Sequence, residues 1–111
     1  MMNLDKKYFD QILSGKKIYE TRVFDEKRKK LKLLEKIEFV NRDDGKSFKA
    51  MIVELSWFPD FRAAIEEVGV KKVLPDARSL DEGVKTYHSF PGYKENSKKF
   101  GVLRFKICLI E

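Results

Sequence analysis

A long strand pattern, from about Phe48 to Phe58, constrains the fold of this sequence more than any other feature. Successive side chains of a strand point to opposite faces. One face of this segment carries four large apolar residues, Met51, Val53, Leu55 and Trp57. The other face is apolar in its first half and carries Glu54 and Ser56 in its second half. A strand buried on both sides over part of its length is typical of a central position in a sheet or barrel.

The sequence on either side predicts further strands. Asp43-Asp44-Gly45-Lys46 supplies hairpin turn residues, and before this turn Ile37 and Phe39 alternate with charged residues. The chain closes with a second alternating segment, from Leu103 to Leu109, which predicts a strand with one core face.

Three helices are predicted around these strands. The first carries apolar residues at helical spacing from Leu4 to Leu13 and ends at Gly15, a natural C-cap residue. The second follows Asp60 and ends at Gly69, and the third begins at the capping box Ser79 to Glu82. Because strands and helices do not alternate regularly, the pattern predicts an α+β fold, a small mixed β-barrel with flanking helices.

Length and composition set limits on domains, location and cofactors. The 111 residues, 42% of them hydrophobic, suffice for one core, so we expect one domain spanning residues 1–111. No apolar run reaches the length of a membrane span and the N-terminus is charged, which favours a cytoplasmic protein without a membrane partner. With Cys108 and His88 the only residues of their kinds, neither an internal disulfide nor a His/Cys metal site is expected. No cofactor is predicted, and the oligomeric state stays open.

The charge balance is strongly basic, with a formal net charge of +6. Basic side chains gain affinity for RNA by displacing the counterions around its phosphates. Lysine-rich surfaces also keep proteins in solution, and 38% charged residues would suit a heat-adapted organism. Charge alone does not separate these explanations.

A charged trio follows the first helix, where the segment from Gly15 to Arg22 predicts the start of a strand. Glu20 and Arg22 share one face of that strand, and Lys17 lies just before them. Glu20 between two cations is held ionised and can accept a hydrogen bond, while Arg22 can bind a phosphate bidentately. The trio is therefore a candidate site for a base edge and its phosphate. The alternative is a structural ion pair between Glu20 and Arg22.

A second set of candidate binding residues follows Pro91-Gly92. We expect a loop here that exposes Tyr93 for stacking on a base, beside the phosphate-binding candidates Lys94, Lys98 and Lys99. Trp57 and Tyr87 are expected in the core. The basic run from Lys27 to Lys30 fits either an extension of an RNA-binding face or a solvated helix end.

The order of these motifs resembles the ASCH domain, a relative of the PUA fold, over nearly the whole chain. The most specific part runs from Gly15-Lys16-Lys17 through the Glu20-Thr21-Arg22 strand to Phe39, and the closing Phe100-Gly101-Val102 strand completes it. The resemblance implies a PUA-like barrel with helices around a cleft, and Lys17, Glu20 and Arg22 at its opening. Domains of this kind are thought to bind RNA or modified nucleosides.

The resemblance also suggests an alternative, an RNA-processing enzyme such as a ribonuclease or an amidohydrolase. One bacterial branch that is similar to this chain hydrolyses the acetyl amide of acetylated cytidine with a lysine, a threonine nucleophile and a glutamate. Lys17 matches the lysine and would be the candidate base. Glu20 stands at the threonine position, and Thr21 should face the other side of the strand. Glu66 or Glu67, on the helix that begins near Phe61, is the candidate for the glutamate. Because the threonine is absent, a binding domain is the leading hypothesis.

One further departure from the family pattern lies before the Ile37 strand, where Leu34-Glu35 replaces the usual Gly-Asp. Since a residue with a Cβ disfavours positive φ, we expect this turn to avoid such a conformation.

Overall fold

The computed structural model describes residues 1–110 and contains one five-stranded mixed sheet with helices against it. The strands are β1 (Met2–Leu4), β2 (Tyr19–Val23), β3 (Lys36–Asn41), β4 (Ser47–Phe58) and β5 (Val102–Leu109). The helices are α1 (Lys6–Leu13), α2 (Phe61–Glu66), α3 (Val70–Val73), α4 (Leu80–His88) and α5 (Tyr93–Phe100), with a short 3-10 helix at Arg28–Lys30. The predicted α+β class is confirmed.

The sheet forms a half-barrel with the strand order β1-β3-β4-β5-β2. β1 pairs with β3 in parallel, and the other neighbours are antiparallel. The two edge strands are therefore β1 and β2. They approach each other where Arg22 of β2 donates a hydrogen bond from Nη2 to the carbonyl oxygen of Asn3 in β1, at 3.3 Å.

β4 is the central strand that the sequence predicts, but its faces differ from the predicted ones. The register with β5 shifts between Ile52 and Glu54, as at a β-bulge. Met51 lies opposite Cys108, whereas Leu55 lies opposite Phe105. The first half and the second half of the predicted apolar stripe consequently lie on opposite faces of the sheet.

Two apolar cores cover the two faces of the sheet. On one face, Phe39, Ala50, Ile52 and Phe105 are fully buried and pack with α1. On the opposite face, Phe61 and Ile65 of α2 pack with Val73 and Val102 and with residues of α4. Burial of each large apolar side chain stabilises the fold by about 1.5–3 kcal/mol. The apolar contacts of α2 and α4 therefore hold these helices against the sheet.

Local signals set several element boundaries. The side chains of Asp60 and Ser79 cap α2 and α4 by accepting hydrogen bonds from Ala63 N and Glu82 N. The hairpin between β3 and β4 lies at the predicted turn. No helix within residues 1–110 is long and apolar enough to cross a membrane.

Besides the predicted faces of β4, four sequence-based expectations are wrong. Leu4 lies in β1 rather than in α1, and the segment after Pro91-Gly92 forms α5 rather than a loop. Trp57 is 53% exposed rather than in the core. Its ring lies against Gly101, where a Cβ atom would clash with the indole ring, and the indole nitrogen donates to the carbonyl oxygen of Phe100.

The fourth correction concerns the turn before β3. Leu34 has a φ of 68°, the only positive φ at a non-glycine residue within residues 1–110. Two backbone hydrogen bonds hold this turn to β4, from Leu34 N to Ile52 O at 2.7 Å and from Ile52 N to Glu35 O at 3.0 Å. They fix the left-handed conformation in spite of the leucine Cβ.

Candidate functional site

A cleft of about 400 Å³ lies where the edge strands β1 and β2 approach each other. Asn3 and Leu4 line it from β1, and Glu20, Thr21 and Arg22 line it from β2. Residues of α1, α4 and the loop before α5 form the remaining walls. The gap between the two sheet edges thus provides the one large recess that contains the predicted trio.

The turn after α1 brings Lys17 into this cleft. Gly15 has a φ of 81°, and the backbone N–H groups of Lys16 and Lys17 both donate to Gln11 O, which reverses the chain at the helix end. The next residue, Ile18, donates to Lys72 O at 2.8 Å and fixes the start of β2 against α3. The end of α1 and the start of β2 therefore both fix the position of Lys17.

Lys17 and Glu20 form a closed network of buried contacts. The Lys17 Nζ atom donates to the carbonyl oxygen of Val73 at 2.5 Å, lies 3.5 Å from Glu20 Oε1 and is 5.6 Å from the ring centroid of Tyr8. Glu20 Oε1 also accepts from Thr21 N at 3.0 Å. Lys17 and Glu20 are only 2% and 4% exposed, so their contacts are with the protein rather than with solvent.

The electrostatics of this network keep Glu20 ionised. Burial raises the pKa of Glu20, but the charges of Lys17 and Arg22 and the Thr21 N–H outweigh it and hold the pKa below 4.5. Burial lowers the pKa of Lys17, and Glu20 offsets this only in part. The carboxylate is therefore an anion that its own neighbours already satisfy.

Arg22 has donors left for a ligand. Its Nη2 atom donates to both Glu20 Oε2 and Asn3 O, each at 3.3 Å. Its Nη1 and Nε atoms make no hydrogen bond with residues 1–110, and neither atom is buried away from solvent. Burial alone would lower the pKa of Arg22, but its interactions with Glu20 and Tyr93 together raise the pKa above the usual value. The guanidinium therefore stays charged. Its free N–H groups suit an anion at the cleft.

Aromatic rings form one side of the cleft. Tyr8, Phe90 and Tyr93 line it, and Phe90 packs edge-on against both tyrosine rings, at centroid distances of 6.3 and 5.4 Å. Tyr93 also stacks on Phe61 at 5.7 Å, with the two rings nearly parallel. Gly92 has a φ of 77° and directs the chain into α5, which brings Tyr93 to the cleft. These rings offer a flat base a stacking surface.

Two hydroxyl groups at the base of the cleft are buried without partners. Thr21 and Tyr87 are 1% and 3% exposed, and neither Thr21 Oγ1 nor the Tyr87 hydroxyl has a hydrogen-bond partner within residues 1–110. Burial, with a smaller contribution from the charge of Glu20, raises the pKa of Tyr87 well above 10.0. Thr21 pairs with Arg104 across the sheet, on the face opposite to Glu20, as the strand alternation predicts.

The structure brings most of the predicted site residues together. Lys17, Glu20, Arg22 and Tyr93 line the cleft, whereas Lys94 is exposed on α5 and does not line it.

Two residues weighed for the enzyme hypothesis lie elsewhere. Glu66 is exposed on α2, and Glu67 forms an ion pair with Arg104 at 2.7 Å; neither lines the cleft. The glutamate of the amidohydrolase branch thus has no counterpart at these two positions.

Tyr8, Arg42 and Phe90 are among the residues lining the cleft that sequence reasoning missed. Arg42 follows β3, and its N–H donates to Leu4 O, so it reaches the cleft only because β1 pairs with β3. Tyr8 has the same helical spacing as the core residues of α1, which concealed its second role.

The half-barrel with helices around a cleft at the trio defines a PUA-like domain. The ASCH domain profile matches residues 2–110, nearly the whole chain, and this chain belongs to the ASCH domain family. Members of this family are known generally as RNA-binding PUA-like domains.

Two solved structures are similar to this chain. The crystal structure of hypothetical protein PH0355 has a TM-score of 0.87 at 36% sequence identity, covering 98% of this chain and 96% of that one. The solution NMR structure of protein PF0455 from Pyrococcus furiosus has a TM-score of 0.80 at 33% identity, covering 99% of this chain and 96% of that one. Among curated proteins, none matches this chain.

Proposed function

We propose that this protein binds RNA by taking one unstacked nucleoside into the cleft between β1 and β2. The observation that supports this proposal is the joint presence, in one cleft of about 400 Å³, of an aromatic wall and an accessible guanidinium. A recess of this size is in the usual range for small-molecule sites, and stacking on aromatic side chains with a phosphate contact is the common mode of single-stranded RNA recognition.

The contacts of the trio suggest a different role for each member. The Glu20 oxygens already accept from Thr21 N and Arg22 and lie near Lys17, which leaves little capacity to read a base edge. Glu20 is therefore a positioning residue that holds the guanidinium of Arg22. Arg22 and Arg42 are the guanidinium groups of the cleft that contact the phosphate, and Tyr93 supplies a stacking face.

A binding measurement with matched arginine variants tests the proposal. Arg42 lines the cleft, is exposed, and has one ion pair, to Asp5 at 3.7 Å. Arg62 on α2 is also exposed and has one ion pair, to Asp81 at 2.7 Å, but does not line the cleft. By fluorescence anisotropy with a single-stranded RNA of about eight nucleotides, we expect Arg42→Gln to weaken binding about tenfold and Arg62→Gln less than about twofold.

Tyr93→Leu tests the stacking contribution in the same assay. Leucine retains apolar packing on Phe61 but removes the ring, and loss of one base-stacking contact should weaken binding about tenfold, because such contacts contribute about 1–3 kcal/mol. Equal losses from Arg42→Gln and Arg62→Gln, with no effect of Tyr93→Leu, would place the RNA outside the cleft.

One observation favours a second candidate, an amidohydrolase or ribonuclease with Lys17 as its base. Burial lowers the pKa of Lys17, as for catalytic lysines, and Thr21, whose hydroxyl has no partner within residues 1–110, lines the same cleft. The Nζ atom, however, already contacts Val73 O and Glu20. Incubation with acetylated cytidine and with unstructured RNA is expected to give neither acetate nor cleavage; turnover that disappears in Lys17→Met and Thr21→Val would establish the enzyme instead.

A further inference from the structure

A second recess, of about 360 Å³, lies on the other side of β1 from the cleft. Met2 lines this recess and Asn3 lines the cleft, so consecutive residues of one edge strand separate the two. The segment from Lys27 to Leu31, which includes the 3-10 helix, forms its opposite wall, and the start of β3 completes it. We refer to it as the β1 recess.

The β1 recess carries an excess of positive charge. Lys27, Arg28, Lys30 and Lys36 line it, against two carboxylates, Glu35 and Glu38. Both carboxylates already accept hydrogen bonds from the protein, from Lys32 N at 3.0 Å and from the Ser47 hydroxyl at 3.2 Å.

The lysines of this segment differ in their pairing. Lys29 forms an ion pair with Glu26 at 3.0 Å and does not line the recess. Lys27, Lys30 and Lys36 have no carboxylate within ion-pair distance among residues 1–110, and all three are exposed. All three lysines that line the recess are thus unpaired within residues 1–110.

Arg28 lines the β1 recess and can contact an anion there. Its two terminal nitrogens make no hydrogen bond with residues 1–110 and, unlike its Nε atom, are not buried away from solvent. Burial lowers the pKa of Arg28, and the charge of Arg22 in the cleft lowers it further. An anion bound at the terminal nitrogens of Arg28 would therefore be stabilised by both positive charges.

We propose that one RNA strand occupies both recesses, with a backbone phosphate between the guanidinium groups of Arg22 and Arg28 and the neighbouring phosphates along Lys27, Lys30 and Lys36. The inference rests on the proposed function, because a nucleoside in the cleft sets the position of the phosphate at Arg22. The charge complementarity of the β1 recess and its position next to the cleft, one residue along β1, favour RNA over an acidic protein segment.

Variants of the β1 recess should affect long and short ligands differently. The Arg28 side chain makes no hydrogen bond with residues 1–110, and Lys30 is exposed, so Arg28→Gln/Lys30→Gln should leave the fold intact. We expect this double variant to weaken binding of an RNA of about eight nucleotides by about tenfold or more, and to reduce the slope of log affinity against log salt by about 1.4, or about 0.7 per phosphate contact. Binding of a single nucleoside monophosphate should stay within about twofold, because it does not reach the β1 recess.

Two further variants serve as controls. Lys71→Gln/Lys72→Gln removes the same charge from α3, which lines neither recess, and should change both affinities by less than about threefold. Lys27→Gln/Lys30→Gln repeats the test without Arg28 and should again affect only the longer RNA. Equal losses from the α3 pair and the recess pairs would overturn the proposed strand path.

The remaining outcomes separate this proposal from the proposed function. If Arg42→Gln and Tyr93→Leu change neither affinity, the cleft proposal fails, whatever the recess variants do. If those variants weaken both ligands but the recess variants weaken neither, the cleft proposal stands and the strand path fails. Displacement of the RNA by poly-glutamate at equal charge concentration would likewise overturn the strand path, in favour of an acidic protein partner.

Discussion

At the scale of single residues, Leu34 is the most unfavourable backbone position in the described chain. A side chain in the left-handed region costs about 1–2 kcal/mol relative to the right-handed one, and glycine avoids this cost. Leu34 is 63% exposed, so its side chain contributes little burial to offset the strain. The family's usual glycine at this turn is therefore the residue that the observed backbone favours.

Leu34→Gly should raise the free energy of unfolding by up to about 1 kcal/mol, as measured by urea denaturation, because relief of strain exceeds the extra entropy of a glycine in the unfolded chain. Leu33→Gly is the matched control, since Leu33 is similarly exposed at 56% but has no positive φ. It should lower the free energy of unfolding by about 0.5–1 kcal/mol. Destabilisation by both changes would show that the turn carries no strain.

The lowered pKa of Glu20 predicts how the stability of the fold depends on pH. Its pKa is lower in the folded protein than its ordinary value of 4.5, so it stabilises the fold above pH 4.5 and this contribution is lost as the pH falls through the folded pKa. Glu20→Gln should lower the free energy of unfolding by about 3 kcal/mol at pH 7, because two buried cations lose their partner. The difference from wild type should shrink below pH 4.5.

The control for this titration is Glu54→Gln, which removes an exposed ion pair with Lys106 at 3.4 Å. Exposed pairs contribute about 0–1 kcal/mol, so this variant should follow the acid denaturation curve of the wild type closely. A Glu20→Gln protein that loses stability on acidification as steeply as the wild type would exclude Glu20 as the source of the pH dependence.

Tyr87 presents the opposite case, a buried polar group that the folded protein does not satisfy. Tyr87→Phe removes a hydroxyl without a partner, so it should leave the free energy of unfolding unchanged or raise it by about 1 kcal/mol. Because the pKa of Tyr87 is raised, the wild type should lose stability as the pH rises above 10.0, and the variant should lose less. Thermal denaturation at neutral and alkaline pH measures both effects, and a loss of more than about 1 kcal/mol at neutral pH would reveal a hidden hydrogen bond.

At the scale of elements, a side chain rather than a backbone ladder connects the two edges of the half-barrel. Arg22 links β2 to β1 through Asn3 O, while β1 itself has only three residues and pairs only with β3 within the described chain. Arg22→Gln should therefore loosen β1 before the rest of the sheet. We expect amide exchange of residues 2–4 and of Arg42, which donates to Leu4 O, to accelerate about tenfold, as for loss of a charged hydrogen bond of about 1.5 kcal/mol.

Arg62→Gln is the control for this exchange experiment, because Arg62 contacts Asp81 and lies away from the sheet edges. It should leave the exchange of β1 unchanged. Uniform acceleration across β3, β4 and β5 in Arg22→Gln would instead indicate global destabilisation, with no special role for Arg22 at the edge.

The elements also show which parts of this fold the sequence could predict. The cap at Ser79 and the hairpin at Gly45 are local signals, and both are confirmed because neighbouring residues determine them. β1 depends on pairing with β3, more than thirty residues away, and three residues carry no periodic pattern. α5 was missed because Ser97 is its one buried residue, so it has no apolar stripe.

The same distinction applies to the site. Lys17, Glu20 and Arg22 are close in sequence, and strand alternation alone places two of them on one face. Arg42 and Arg28 reach the two recesses only through long-range packing, which no local pattern encodes. The β-bulge in β4 is likewise set by its partner strand, so the predicted stripe from Met51 to Trp57 could not indicate it.

At the scale of the whole molecule, the charges that hold the fold differ from those available to a partner. Within residues 1–110, seven of the ten ion pairs have both side chains at least 41% exposed. Such pairs contribute little to stability. The two pairs of Glu20 are buried and poorly screened by salt, and the excess of positive charge lies on the surface.

One salt series should therefore affect folding and RNA binding differently. Between about 50 and 200 mM NaCl, the free energy of unfolding should change by less than about 1 kcal/mol, because the buried network and the apolar cores are insensitive to screening and weakened self-repulsion offsets the loss of exposed pairs. Over the same range, RNA affinity should fall about twentyfold if the strand makes about three phosphate contacts, since each contributes about 0.7 to the slope. Urea denaturation and fluorescence anisotropy in identical buffers give both quantities. An RNA affinity that does not change with salt would mean that stacking alone binds the RNA. A parallel decrease in the free energy of unfolding would mean that the basic surface stabilises the fold rather than binding RNA.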